Sequence, residues 1–206
     1  MLCGNEKQNL SNMPIIYSKV TTEPSIEPIT LTEAKVHLKV DHTDEDSLIT
    51  ILIQASRETI EQRTNRSLIT QTRTIKLDYF PWSQTICLPD GPLISVTSVK
   101  YYDENLTFQT FSSSDYWVDT NSNIPRVIVK DSWPGTYAMP NAVEIIYQSG
   151  YGASGSYVPK ALKQAMYLII GHLYENREQV GDIRYDLPFG VDHLISPYVL
   201  EQKITY

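Results

Sequence analysis

Two hydrophobic periods run along this chain, and the places where one gives way to the other mark out its organisation. Leu31, Ala34 and Leu38 fall on one face at a spacing of three to four residues and predict a short helix from Leu31 to Val40. Thr30 and Glu33 have the spacing of a capping box, in which a hydroxyl and a carboxylate satisfy free amide groups at a helix start. Asp41 and His42 break this helix. Thr43 is placed to cap a second, longer one, with Asp44, Glu45 and Asp46 in a first turn where the helix dipole favours negative charge. Leu48, Leu52 and Ala55, flanked by Ile49, Ile51, Ile53 and Ile60, give it a broad apolar face, and it should end between Thr64 and Arg66.

From Leu68 to Ser149 the period is two. Arg73, Ile75, Leu77 and Tyr79 alternate with Thr74, Lys76 and Asp78. The pattern returns at Ile86 and Leu88, at Val96, Val99 and Tyr101, at Leu106 and Phe108, at Tyr116 and Val118, at Val127 and Val129, and at Val143, Ile145 and Tyr147. Turn residues separate these runs: Pro81, Pro89-Asp90-Gly91-Pro92, Asp103-Glu104-Asn105, Asn121-Ser122-Asn123 and Trp133-Pro134-Gly135. Short strands at such intervals predict a compact, mainly antiparallel β unit. Helical spacing resumes from Val158 to Gln179, with Pro159 in a first turn where its missing N–H costs nothing. At Leu168, Ile169, Ile170 and Leu173 the apolar residues spread around this helix, so it must be covered on more than one side.

The expected fold is α+β. A small helical bundle, of two N-terminal helices plus one C-terminal helix, occupies residues 29–67 and 156–180, and an inserted antiparallel β domain occupies 68–155. Residues 1–28, with Pro14, Pro24 and Pro28 among Ser, Thr and Asn, read as an extended N-terminal arm. Residues 181–206 read as an extended C-terminal tail, with a turn at Leu187-Pro188-Phe189-Gly190. Leu194, Ile195, Tyr198, Val199, Leu200, Ile204 and Tyr206 make that tail too apolar to leave in water. It either packs on its own domain or docks on a partner.

Composition narrows the function. A chain of 206 residues that is 41% hydrophobic and 20% charged can build one good core and is not of a disordered class. Its net charge of -7, with the basic residues scattered, argues against a nucleic-acid grip, which uses clustered Lys and Arg. The longest dense apolar run, Ala165 to Leu173, is about half of what a membrane span needs. Met1 to Asn12 is polar and carries no secretion signal, and Cys3 is a poor lipid-attachment site. Two cysteines, Cys3 and Cys87, are too few for a disulfide framework and are expected to be free thiols in a reducing cytosol.

Candidate chemistry is sparse. Gly150-x-Gly152-x-x-Gly155 formally meets a dinucleotide fingerprint, and a nucleotide-binding enzyme using it is the alternative function. Its context argues against that: the next helix starts too late for Gly155 to pack it on the strand, and no βαβ continuation follows. A glycine-rich strand-to-helix connection is the simpler reading. Asp44, Glu45 and Asp46 point in different directions on a helix and complement its dipole rather than form a metal set. His37, His42, His172 and His193 lack the i, i+4 spacing of metal ligands. No catalytic residue, cofactor or metal is expected. The tyrosines and Trp82, Trp117 and Trp133 suit core and protein contacts.

Three blocks, taken together, point further. The first is Ile29-Thr30-Leu31-Thr32-Glu33-Ala34-Lys35-Val36-His37-Leu38-Lys39-Val40-Asp41, followed by an acidic helix start and by Ala55, Arg57, Ile60, Glu61, Thr64, Arg66, Leu68 and Thr70. The second is Val158-Pro159 leading to Ala165, His172, Leu173, Tyr174, Glu175, Asn176, Arg177 and Glu178. The third is Leu187-Pro188-Phe189-Gly190-Val191-Asp192 with Leu194, Pro197 and Tyr198. In order and spacing these resemble the head-to-tail connector, or adaptor, proteins of tailed bacteriophages and related gene-transfer particles, in the long form with a β insertion.

The resemblance implies a virion structural protein, not an enzyme, made in the host bacterial cytoplasm and located in the neck. It implies a ring of neighbouring copies, typically twelve, beneath the portal protein, lengthening a channel through which DNA passes without sequence-specific binding. The ring would offer a surface to the next neck, stopper or tail protein and would touch no membrane. Acidic side chains are expected to line the channel. The helices at Asp44 to Thr64 and Pro159 to Gln179 are the expected ring contacts. By the same resemblance the C-terminal end binds the portal, through Phe189, Leu194, Ile195, Tyr198, Leu200, Ile204 and Tyr206.

Overall fold

The capping box forms as its spacing predicts: the Glu33 N–H donates to Thr30 Oγ1 at 3.2 Å and the Thr30 N–H to Glu33 Oε2 at 2.8 Å. The structure is a computed structural model that describes residues 17–177 and 189–200. Helix α1 (Leu31–Leu38) ends at Lys39, which turns left-handed with φ 58°. Helix α2 (Asp46–Thr64) ends the same way at Asn65, φ 52°, a residue type that tolerates this conformation. Thr43 does not cap it. Glu45 stands at the N-cap and makes no capping bond, because its carboxylate is taken by Tyr174 and Arg177.

The period-two region gives strands β2 (Gln71–Leu77), β3 (Thr85–Cys87), β4 (Leu93–Tyr102), β5 (Phe108–Phe111), β6 (Tyr116–Asp119), β7 (Arg126–Val129) and β8 (Val143–Ser149). An eighth strand, β1 (Tyr17–Thr22), comes from the stretch read as an extended arm and pairs with β2. One sheet has the order β1-β2-β8-β4-β5 and the other β3-β7-β6, all pairs antiparallel. Leu106, expected in a strand, sits at φ 61° in the turn before β5. Helix α3 (Lys160–Glu175) has Pro159 at its N-cap rather than inside the first turn. Helix α4 (Phe189–Ile195) takes in Phe189-Gly190 of the expected turn, whose Leu187 and Pro188 lie outside the described residues, and the expected apolar patch; a single 3₁₀ turn (Ser196–Tyr198) follows.

The described residues divide into two units: a β unit of residues 17–24, 70–150 and 200, and a helical unit of residues 25–69 and 151–199. In the β unit, alternate residues of both sheets meet in one core, with Ile75, Val99, Ile145 and Tyr147 from the larger sheet and Ile86 and Val127 from the smaller. Phe80 and Trp133 stack at its margin with centroids 4.7 Å apart. In the helical unit, Ile49, Ile53 and Ile60 of α2 interlock with Leu162, Met166, Ile169 and Ile170 of α3. Met166, Ile169 and Ile170 are all but inaccessible, so α3 is covered on several sides as its composition requires.

One expectation about thiols fails. Cys87 is disulfide-bonded, while Cys3, the other cysteine of the sequence, lies outside the described residues. Disulfide formation depends on thiols meeting in space, which a count of cysteines along the chain does not reveal.

Candidate docking surfaces

The C-terminal segment packs chiefly on α3 and is pinned to the end of α2. Arg63, near the end of α2, donates to Asp192 of α4, and Arg66 Nε donates to the Tyr198 carbonyl at 2.6 Å. Between these pins Val191 and Ile195 enter the core, at 0% and 4% exposure, while Leu194 and Tyr198 pack half-buried against it. Each guanidinium carries several N–H donors, so Arg63 can meet a carboxylate and Arg66 a carbonyl oxygen of the segment. Tyr151 lies in the same neighbourhood, where burial raises its phenol pKa against the opposing pull of Arg66.

Of the residues expected to bind a portal, Leu194 and Tyr198 are thus shared between the core and the surface, and Ile195 and Leu200 are buried. Phe189 opens α4. Ile204 and Tyr206 lie outside the described residues. Exposed positions beside them that sequence reasoning did not select are His193, Pro197 and Val199, which face solvent because Val191 and Ile195 take the inner side of the turn. The alternation of apolar residues over 191–199 at helical spacing was the signal that could have found them.

The two helices proposed for contacts between copies differ. Along α2 the outward line is Ser47, Ile51, Gln54, Glu58 and Gln62, polar apart from Ile51 at 60% exposure. On α3 few side chains face solvent beyond Lys160, Gln164 and Glu175. The end of α3 is tied to the start of α2: Tyr174 donates its hydroxyl to Glu45, Arg177 Nη2 lies 2.6 Å from Glu45 Oε1, and the guanidinium covers the Tyr174 ring at 4.7 Å. The Tyr174 hydroxyl and then Arg177 hold the Glu45 carboxyl below its ordinary range. A shallow groove of Ile26, Pro28, Ile29, Leu31, Ile53 and Ser154–Ser156 carries the Glu33–Lys163 ion pair, 3.1 Å, at its side.

The glycine motif serves packing. A Cβ on Gly155 would stand 2.3 Å from the Pro28 carbonyl oxygen, and one on Gly152, at φ 152°, would stand 2.6 Å from the Tyr157 ring. A phosphate-binding loop needs its amides facing open space, whereas here the chain's own backbone fills the approach to Gly155. The nucleotide-binding alternative therefore finds no support. Among the described residues no group of three His, Cys, Asp or Glu side chains could hold a metal ion, and no helix is long and apolar enough to cross a membrane.

The model of the family described as phage gp6-like head-tail connector protein matches residues 28–130. In the solved structure titled as the neck of an empty GTA particle computed with C6 symmetry, one chain superposes with a TM-score of 0.77 at 22% identity, over 92% of this chain and 98% of that one. A chain of the virion of the native gene transfer agent particle gives 0.77 at 24% identity over 92% and 98%. A chain of the native GTA neck computed with C12 symmetry gives 0.72 at 23% identity over 91% and 98%. These likenesses establish the α+β fold. No curated protein matches the sequence.

Proposed function

Because the chain belongs to the phage gp6-like head-tail connector family, we propose that it is a virion neck protein that assembles as a ring, of twelve copies, between the portal and the next neck, stopper or tail protein. The observation that carries this reading is the match of the family model to residues 28–130. The fold shared over 92% of the chain with a component of a gene transfer agent neck supports it. The role is mechanical rather than enzymatic. The ring lengthens the DNA channel, and the net charge of -7 suits a wall along which DNA slides without adhering.

A ring requires a heterologous contact, in which two different patches of each copy meet. The outward line of α2, with Ile51 exposed at 60%, is the proposed patch on the helical unit. Acidic side chains line the channel, and a ring with a strongly basic inner wall would refute this part. The portal contact is the C-terminal segment: Phe189, Leu194, Tyr198, Ile204 and Tyr206 meet the portal directly, and Ile195 and Leu200 take part only where the segment is released from its seat. Co-expression with the portal protein, followed by co-purification and imaging of the complex, tests the reading. A stable portal complex with the subunits in a closed ring is expected, and a subunit that never binds the portal would overturn it.

A further inference from the structure

The larger sheet, β1-β2-β8-β4-β5, ends in two outer strands, and among the described residues neither makes a backbone hydrogen bond on its open side. Natural edge strands are commonly guarded by charge, proline, a bulge or brevity. β1 carries Lys19 and a shift of register between Val20 and Thr22. β5, Phe108-Gln109-Thr110-Phe111, has only its brevity, and Phe108 leaves 46% of its surface exposed.

The ladder fixes which backbone groups look outward. The Tyr102 N–H donates to the Ala142 carbonyl at 2.9 Å, on the β8 side. In the antiparallel pair Tyr102–Phe108 the two residues therefore do not bond each other, and Phe108 turns its N–H and C=O away from β4. Thr110, two residues on, does the same. The same alternation, carried across β8 and β2, turns Ser18 and Val20 outward from β1. The regular stretch of β1, Tyr17–Val20, is as long as the 4 residues of β5.

A heterologous ring contact needs two different patches on each copy, and this sheet offers them at its two edges. Every neighbouring pair between β1 and β5 is antiparallel and the strand order has three strands between them, so the two edge strands run in the same direction. Resting on the ring reading above, we propose that β5 of each copy takes β1 of the adjacent copy as its next, parallel strand. Phe108 and Thr110 face Ser18 and Val20 across the junction. The occupant is β1 of a second copy because the other pairings of these edges fit less well. Two β1 edges would bring together Lys19 of both copies, the one charged side chain on either edge strand. Two β5 edges would close after two copies, and an edge of 4 residues buries far less than the roughly 800 Å² per partner of a stable complex. The β1–β5 junction instead repeats around the ring and adds to its other contacts.

The test uses the full chain co-expressed with the portal protein. Amide exchange on fragments spanning 107–112 should be severalfold slower in the ring than in the free chain. Thr110→Pro and Val20→Pro each remove an outward N–H that bonds nothing within the copy. Each should keep the wild-type melting temperature yet lower the number of copies recovered per portal severalfold. Thr110→Val keeps the N–H and should match the wild type. If a proline variant unfolds, exchange in the wild-type ring decides the matter. A wild-type chain that forms no ring would overturn the ring reading and this inference together. A wild-type ring in which 107–112 exchanges as in the free chain, or full rings from both folded proline variants, would overturn the inference alone. So would a ring lost in Thr110→Pro but intact in Val20→Pro, which would seat a different strand on β5.

Discussion

Arg57→Met probes the buried ion network that joins α2 to Glu27, in the chain ahead of α1. The Arg57 side chain is 6% exposed, with Nε 2.9 Å from Glu27 Oε2 and Nη1 3.1 Å from Glu61 Oε2, and Glu61 is itself 8% exposed. The other Glu61 oxygen accepts the Leu68 N–H at 2.7 Å, so one carboxylate joins the helix to the chain that leaves it. Methionine keeps much of the volume but takes the cation away from two carboxylates in a poorly solvated place. Removing one partner of a buried pair costs about 3–5 kcal/mol, and the 21% exposure of Glu27 puts this case toward the lower end, near 3. For a chain of this size that lowers the melting temperature by roughly 6–12 °C. Because the chain has two units, the assay is urea denaturation read by hydrogen exchange on peptides from α2 and, separately, from β8. The loss should fall on α2. Glu61→Gln, which keeps an oxygen for the Leu68 amide, should cost less, about 1–2 kcal/mol. If Arg57→Met changed the stability of α2 by less than about 0.5 kcal/mol, the network would not be supporting the helical unit.

Gly155→Ala should destabilise the helical unit by about 1–3 kcal/mol in thermal unfolding, since the new methyl meets a backbone carbonyl that cannot swing aside. Glu45 has a folded-state pKa below its unfolded value, so its contribution is present above about pH 4.5 and lost as pH falls through the folded value. Glu45→Gln should flatten that acid limb, as read from amide exchange at Tyr174–Arg177 against pH; an unchanged limb would contradict the assignment. Deleting residues 201–206, and with them Ile204 and Tyr206, should weaken co-purification with the portal severalfold, and undiminished binding would remove these residues from the portal contact. Deletion of everything after Pro188, by contrast, strips Val191 and Ile195 from the core and should cost about 3–6 kcal/mol, visible as a lowered urea midpoint.

Much of the fold was legible because its signals are local. The Thr30–Glu33 box needs only four residues, and the buried faces of α2 and β8 follow the periods of three to four and two read from the sequence. Misreadings arose where a distant group intervened. Glu45 could not be assigned before Tyr174 and Arg177, some 130 residues later, were seen to take its carboxylate. The tail's apolar residues suit a core and a partner equally well along the chain, because the seat that Val191 and Ile195 occupy exists only once α2 and α3 have met. The exposure of His193, Pro197 and Val199 follows from that seat.

By itself the sequence determined the class of most segments, the N-terminal cap of α1 and the family, since hydrophobic period, short-range hydrogen bonding and motif order are properties of the chain read along its length. Tertiary structure alone decided that β1 joins the larger sheet, that the strands divide into β1-β2-β8-β4-β5 and β3-β7-β6, that Arg57 and Glu61 are buried as a pair, and that Cys87 is bonded. It also decided what the glycines are for: Gly155 lies against the Pro28 carbonyl, a contact between residues 127 positions apart. Each of these depends on which surfaces meet after collapse, and such meetings are set by packing and desolvation across the whole fold rather than by any one stretch of the chain.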